Sequence, residues 1–372
     1  MAKYRFDQVA RECRTTFKGD KNGMPIVGLE HLVPNEMLVR DFEVDTENTF
    51  TKSFKQGQIL FGRRRAYQQK AGVAQFDGIC SGDITVIEAI PGKIEPNLLP
   101  FIVQNEQFFE HAVQGSAGSL SPRVKWEHLA SYEIELPTME KQRVLADKLW
   151  TAYRLKESYK KLLAATDEMV KSQFIEMFGE RTTTPVGYYI KDSFPGDWGK
   201  EDLDGTGVKV IRTTNFTNFG KLNLSEVVTR SIEEHKIQKK QILKYDTILE
   251  RSGGTADNPV GRVVLFEEDE QYLCNNFTQV LRFKDIDPRF AFYALFYFYQ
   301  MNKTSIRSMG SKTTGIQNLN MSKYLEIGIP NADEDEQKQF VSIAEQSDKS
   351  KFELRKSIEA IDRVIKSLIN NV

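Results

Sequence analysis

The sequence is poor in the residues that most site chemistry requires. Three cysteines (Cys13, Cys80 and Cys274) stand far apart among 372 residues, which excludes a disulfide framework and leaves no zinc-ligand spacing. The four histidines, His31, His111, His128 and His235, are equally scattered, so no metal site is expected. There is no GxxxxGK[ST] phosphate loop, no HExxH and no GxSxG elbow. QGSAGSL and RSGGTADN are rich in glycine, but neither opens a helix out of a strand, and both read as surface loops. Asn258-Pro259-Val260 lacks the aromatic residue that an amino-methyltransferase Asn-Pro-Pro-aromatic motif needs. No catalytic residue is assigned.

Long apolar runs are missing too. The most apolar stretch, Phe290 to Met301, is about half the length a bilayer crossing demands, and reads as a core helix. The opening MAKYRFDQVA has no apolar signal region, so a cytoplasmic protein is expected. Nor is charge of one sign in excess: 51 Lys+Arg face 52 Asp+Glu, for a net −1. A polyanionic partner would have to be met by local patches rather than by the field of the whole chain. The composition, 40% hydrophobic and 28% charged, is that of an ordinary globular protein of two or three domains.

What the chain does have is a long helix near its middle. Pro137 to Gly179 runs without an interior proline, with Thr138 placed to cap it, Glu140 in the first turn and Gly179 as a stop. Leu155, Tyr159, Leu162 and Met169, with Thr166 completing a 4-3-4-3 spacing, predict a seam against another helix. A second helix of this kind ends the chain, with Leu354, Ile358, Ile361, Ile365 and Leu368 at the same spacing. Each helix follows a short alternating strand that ends in proline, SYEIELP (131–137) and YLEIGIP (324–330). Each then begins with acidic residues and a glutamine, Glu140-Lys141-Gln142 and Asp335-Glu336-Gln337.

The segments before the two helices also correspond in order. KQGQILFGRRR matches KYDTILERSGG, which sets Arg63 against Arg251, and GICSGDITVIEA matches YLCNNFTQVLRF, which sets Cys80 against Cys274. The helical stretch 98–113 matches 290–301, and the Gly/Ser loop 114–123 matches 308–320. The expected fold is therefore α/β (α+β) and duplicated: a domain over 1–136, a spacer helix over 137–179, a second domain over 180–330 and a final helix over 331–372.

Loops combining donors with planar groups are the candidate binding residues. Arg63, Arg64, Arg65 and Tyr67 lie past a strand end, with Arg123 in the later loop. Arg251, Ser252, Lys312, Thr313 and Gln317, with Thr314 beside them, hold the matching places in the second half. Arginine reads guanine edges, Gln reads adenine, and Lys, Ser and Thr anchor phosphates.

Two segments carry a resemblance: GSLSPRVKWEHLASYEIELPTMEKQRVLADKL and TTGIQNLNMSKYLEIGIPNADEDEQKQFVSIAEQ. Together with QILFGRRR and TILERSGG, they resemble the recognition-domain-to-helix boundaries of type I restriction–modification specificity subunits. The run Asp333-Glu334-Asp335-Glu336 departs from that family's pattern, as do Gln58 and Tyr245. The resemblance implies that the two helices pair as an antiparallel coiled coil with an internal pseudo-two-fold. It implies that each domain reads one half of a bipartite, gapped duplex DNA target. It also implies two methyltransferase subunits and ATPase/nuclease restriction subunits as partners. Those partners would carry S-adenosylmethionine, ATP and Mg2+, while this chain itself is non-catalytic and holds no cofactor. Lys148, Arg154, Lys160 and Lys161 would then face the modification subunits. The competing reading is a coiled-coil scaffold whose two α/β domains bind proteins and never touch DNA.

Overall fold

A computed structural model describes residues 2–255, 257–313 and 316–370. The chain divides into two units, Met1–Leu162 with Glu353–Val372, and Leu163–Phe352. In the first, a five-stranded sheet has the order Ala10–Cys13, Ile84–Ala89, Ile59–Gly62, Ala71–Ala74, Leu38–Val39. Beside it lies a three-stranded sheet in which Ile26–Val27 runs parallel to Gly78–Cys80, with Lys52–Phe54 on the other side. In the second unit, Ile190–Pro195, Thr278–Phe283, Thr247–Glu250 and Val263–Leu265 form the corresponding sheet. Its companion again contains one parallel ladder, Val208–Ile211 with Tyr272–Cys274. Val27 pairs with Cys80 and Ile211 with Cys274, so the two cysteines hold the same place in both units. Burial pushes their thiols up to about 12 and about 11, which leaves neither as a ready nucleophile.

The prolines that close SYEIELP and YLEIGIP mark where each domain is tied off. Ala2–Arg5 pairs with Glu133–Leu136, and Thr183–Pro185 pairs with Gly328–Pro330. The opening segment, expected as one strand, is broken by a helical turn at Phe6–Val9 that buries both Phe6 and Val9. The stretch 98–113 is also broken, into Leu99–Val103 and Glu106–Gln114. Asn105 caps the second piece by accepting from the Gln107 amide. Its counterpart is one helix, Pro288–Met301, capped by Asp287.

The repeated glutamine has a physical role in each unit. Gln142 is 2% exposed; its Nε2 donates to the Pro137 carbonyl and its Oε1 accepts from the Glu95 amide, both at 2.9 Å. Gln337 does the same with the Ala332 carbonyl and the Asp287 amide, also at 2.9 Å. Each glutamine therefore fastens the start of a long helix to the loop that leads into the aromatic helix. Gln142→Ala leaves the Glu95 amide without this partner and should cost about 1–3 kcal/mol, read as a lower denaturant midpoint of the first unit.

The central helix spans Met139–Phe178 and the last helix Glu334–Asn370. Gly179 ends the first by space rather than by a left-handed backbone, because a Cβ there would lie 2.6 Å from the Ile175 carbonyl oxygen. In the first unit the central helix buries Gln142, Ala146, Leu149 and Tyr153, with Ile365, Leu368 and Ile369 of the last helix packed on the same core. In the second unit Val170, Phe174 and Phe178 pack with Phe340, Val341 and Ala344. Within each unit the two helical segments run in opposite directions.

The stripe expected on the central helix is one residue out of place. Leu155 is 44% exposed and Met169 54%, and Leu162 is exposed, while Tyr159 and Thr166 are only half-buried. The residues that meet the last helix are instead Tyr153, Lys156, Asp167, Val170 and Phe174. The charged ones are ion-paired: Lys156 meets Asp362 at 2.6 Å, and Asp167 meets Lys351 at 2.8 Å. A hydropathy stripe passes over such positions because it scores a paired lysine as surface. On the last helix Leu354, Ile358 and Ile361 are half-buried, and Ile365 and Leu368 lie against the first unit's core.

Candidate nucleic-acid interface

The place where each long central-sheet strand ends is built identically in both units. Strand Ile59–Gly62 runs out at Arg63, whose amide donates to the Asp83 carbonyl at 2.9 Å while its carbonyl accepts from Val124 at 2.9 Å. Strand Thr247–Glu250 runs out at Arg251, whose amide donates to Phe277 at 2.8 Å while its carbonyl accepts from Leu319 at 2.8 Å. Arg63 and Arg251 are thus structural equivalents, each clamped between two loops.

In the first unit Arg63 is half-buried and lines an open cleft of about 780 Å³ with Thr15, Lys52, Ser81, Lys125 and Trp126. The cleft walls carry Arg14, Lys52, Arg63 and Lys125 against Glu12, Asp83 and Glu127. Lys52 is anchored by donating to the Ile84 carbonyl at 2.7 Å. Arg123 grips Asp83 with two hydrogen bonds, 2.7 and 3.0 Å, and the Arg64 guanidinium lies 3.7 Å from the same carboxylate and donates to Ser121 Oγ at 2.9 Å. The Arg123 guanidinium holds the Asp83 carboxyl below the usual carboxylate range. Two of the expected arginines therefore sit on an internal counter-ion, and Asp83 orients them. Arg65 is exposed in a left-handed conformation, φ 55°, at the start of a short turn that lifts Tyr67 into solvent. The Nε atoms of Arg63 and Arg64 are buried without a hydrogen-bond partner among the described residues.

The second unit departs further from expectation. Ser252 is 5% exposed, and its hydroxyl donates to Asn318 Oδ1 at 2.7 Å, joining strand Ser252–Gly253 to Ile316–Leu319. Ser252 is consumed by this internal joint and is removed from the direct-contact set. Arg251 lies 3.5 Å from Gln279 Oε1. Gln317 is half-buried and faces both Gly253 and Lys312 across the ladder. The backbone of Lys312 and Thr313 belongs to strand Gly310–Thr313; their side chains, and Thr314 altogether, lie outside the described residues.

Residues absent from the sequence-based set join the site here. Arg212 and Asn275 follow the two strands of the parallel ladder, and the Asn275 amide donates to the Ile211 carbonyl at 2.9 Å. Arg212 Nε and Asn275 Oδ1 are buried without partners among the described residues. The duplication held the signal for them, since Arg212 stands where Gly28 stands and Asn275 where Ser81 stands. In the first unit Lys52, Lys125 and Trp126 were likewise missed, because each is separated in sequence from the arginine run. The first site presents guanidinium, ammonium and hydroxyl groups beside the Trp126 indole, and the second presents guanidinium and amide groups, assortments suited to phosphates and base edges. No cluster of His, Cys, Asp and Glu that could hold a metal ion occurs among the described residues. No described helix is long and apolar enough to cross a membrane.

Comparison with known proteins bears on the family and the fold. The chain is 24% identical over 191 residues to the type I restriction enzyme EcoDI specificity subunit of Escherichia coli. That match covers 48% of this chain, which spans about two-fifths (41%) of the relative. The type I restriction–modification S subunit from M. genitalium superposes with a TM-score of 0.60 at 13% identity, covering 99% of this chain and 94% of that one. A chain from a structure addressing complex assembly and conformational transition of the type I R-M system gives 0.57 at 14%, covering 99% and 96%. These structural likenesses establish the fold. The type I restriction modification DNA specificity domain matches residues 9–165 and again 193–362, and the chain belongs to that family.

Proposed function

We propose that this chain is the DNA-recognition subunit of a type I restriction–modification complex, and that it reads a bipartite target with one half-site per unit. The observation that carries the reading is the twofold construction of one site: Arg63 and Arg251 are clamped the same way at equivalent strand ends. The two sites differ in the side chains around that arginine, so the two half-sites differ. The recognition domains are assigned to 1–136 and 180–330, with the helices over 137–179 and 331–372 as spacers. Methyl transfer, ATP hydrolysis and cleavage belong to partner methyltransferase and restriction subunits, which bring S-adenosylmethionine, ATP and Mg2+. The complex acts in the cytoplasm. Direct contacts are assigned to Arg63, Arg65, Tyr67 and Arg251, with Gln317, Lys312 and Thr313 from the later strands. Arg64 and Arg123 contribute through the Asp83-centred cluster.

With the methyltransferase partner bound, affinity for target duplex should fall steeply as salt rises, because phosphate contacts release counterions. Arg63→Ala should weaken binding by about 1–3 kcal/mol and relax selectivity at one position of one half-site. Binding measured across a panel of single-base target variants checks this. A uniform loss over all variants would make Arg63 a phosphate contact instead.

A further inference from the structure

The two ion pairs between the long helices are copies of one another. Lys351 lies 195 residues after Lys156 (351 minus 156), and Asp362 lies 195 residues after Asp167 (362 minus 167). Gln337 follows Gln142 by the same interval (337 minus 142). Lys351 is 9% exposed, and it also meets Asp348 at 2.9 Å. A lysine this deep in a helix pair costs desolvation that its partner only offsets, so its usual role is to specify the pairing rather than to strengthen it.

The alternatives show what would be specified. Sliding one helix by seven residues keeps the heptad spacing and is the natural error of such a pair. In one direction the slide sets Lys351 opposite Lys160 and Lys156 opposite Arg355. In the other it sets them opposite Phe174 and Ile369. Asp167 would face Ala344 or Ile358, and Asp362 would face Leu149 or Leu163. Either seven-residue slide leaves the buried Lys351 opposite a like charge or an aromatic ring, whereas the observed register satisfies both pairs.

We propose that Lys156–Asp362 and Lys351–Asp167 set the register in which the two long helices pair. The four residues are then determinants of the spacing between target half-sites, a consequence that rests on the DNA-recognition reading above. The register itself does not depend on that reading.

The test is a spin-label distance measurement on the purified full chain, with labels at Lys148→Cys and Glu353→Cys and with Cys13→Ser to remove the less buried native thiol. The parent should give one narrow distance distribution. Replacing Lys156, Asp167, Lys351 and Asp362 together by leucine should leave the melting temperature equal or higher, yet add a population displaced by about 10 Å, one heptad of helical rise. A single distribution identical to the parent's would overturn the proposal and assign the register to the apolar cores alone. If the leucine variant does not fold, Lys160→Glu with Arg355→Glu gives a second approach. That change matches charges in the first slipped register and should populate it; an unchanged distribution again overturns the proposal. A changed register with no DNA binding by either protein would count against the recognition reading only.

Discussion

Arg262→Ala should lower the stability of the second unit by about 3–5 kcal/mol, because it strands a buried carboxylate. Glu250 is 2% exposed, and Arg262 Nε lies 2.7 Å from its Oε2. A second guanidinium nitrogen sits 3.3 Å from Oε1 and 3.4 Å from the Thr213 carbonyl, and the group lies over the Phe216 ring. Glu250 is the last residue of the strand that delivers Arg251, so the pair secures the strand end on which the second site is built. Removing the cation leaves the carboxylate without its partner at that end. Replacing both partners by leucine should cost far less than Arg262→Ala alone, since no charge is left unpaired. Denaturant midpoints of the single and double variants measure the difference. Gly62 holds the place of Glu250 in the first unit, so the first unit's transition should not move.

Phe340→Ala should be comparably severe, at about 3–5 kcal/mol for a fully buried aromatic truncated to a methyl. Its ring lies 5.2 Å from Phe174, 5.8 Å from Phe178 and 5.6 Å from Tyr293, centroid to centroid. These rings come from the central helix and from the aromatic helix Pro288–Met301, so Phe340 joins three helical segments of one core. Its equivalent 195 residues earlier is Leu145, which is only partly buried. Leu145→Ala should therefore cost clearly less than Phe340→Ala. Equal losses from the two, in chemical denaturation of the full chain, would contradict this packing.

The repeat was legible in the sequence because backbone pattern and punctuation survive divergence. The proline-ended strands, the acidic starts and the glutamines at 142 and 337 lie where chain direction changes, and such places tolerate few residue types. Their role as fasteners was not legible, because the Glu95 and Asp287 amides they bind are far away in sequence. On the last helix, Ile365 and Leu368 of the expected seam pack on the first unit's core, and Leu354, Ile358 and Ile361 are half-buried. The same reading failed on the central helix by one position, since Lys156 and Asp167 lie on its inner line and score as surface. At the candidate site, the equivalence of Arg63 and Arg251 is legible through the strand that each terminates. Ser252 is buried against Asn318, and a small hydroxyl reads alike in sequence whether it faces solvent or, as here, an internal amide. Arg212 and Asn275 were overlooked because their proximity comes from a parallel ladder, and parallel neighbours leave no local trace in sequence.

The proposed role is that the chain chooses the DNA sequence on which its partners act. A map of methylated bases in the source genome, with the gene intact and with it deleted, tests this role. The expected result is a motif of two different half-sites around an unspecified gap, present with the gene and lost without it. An unchanged map, from cells in which the intact chain is expressed alongside an active methyltransferase partner, would contradict it and favour the scaffold reading.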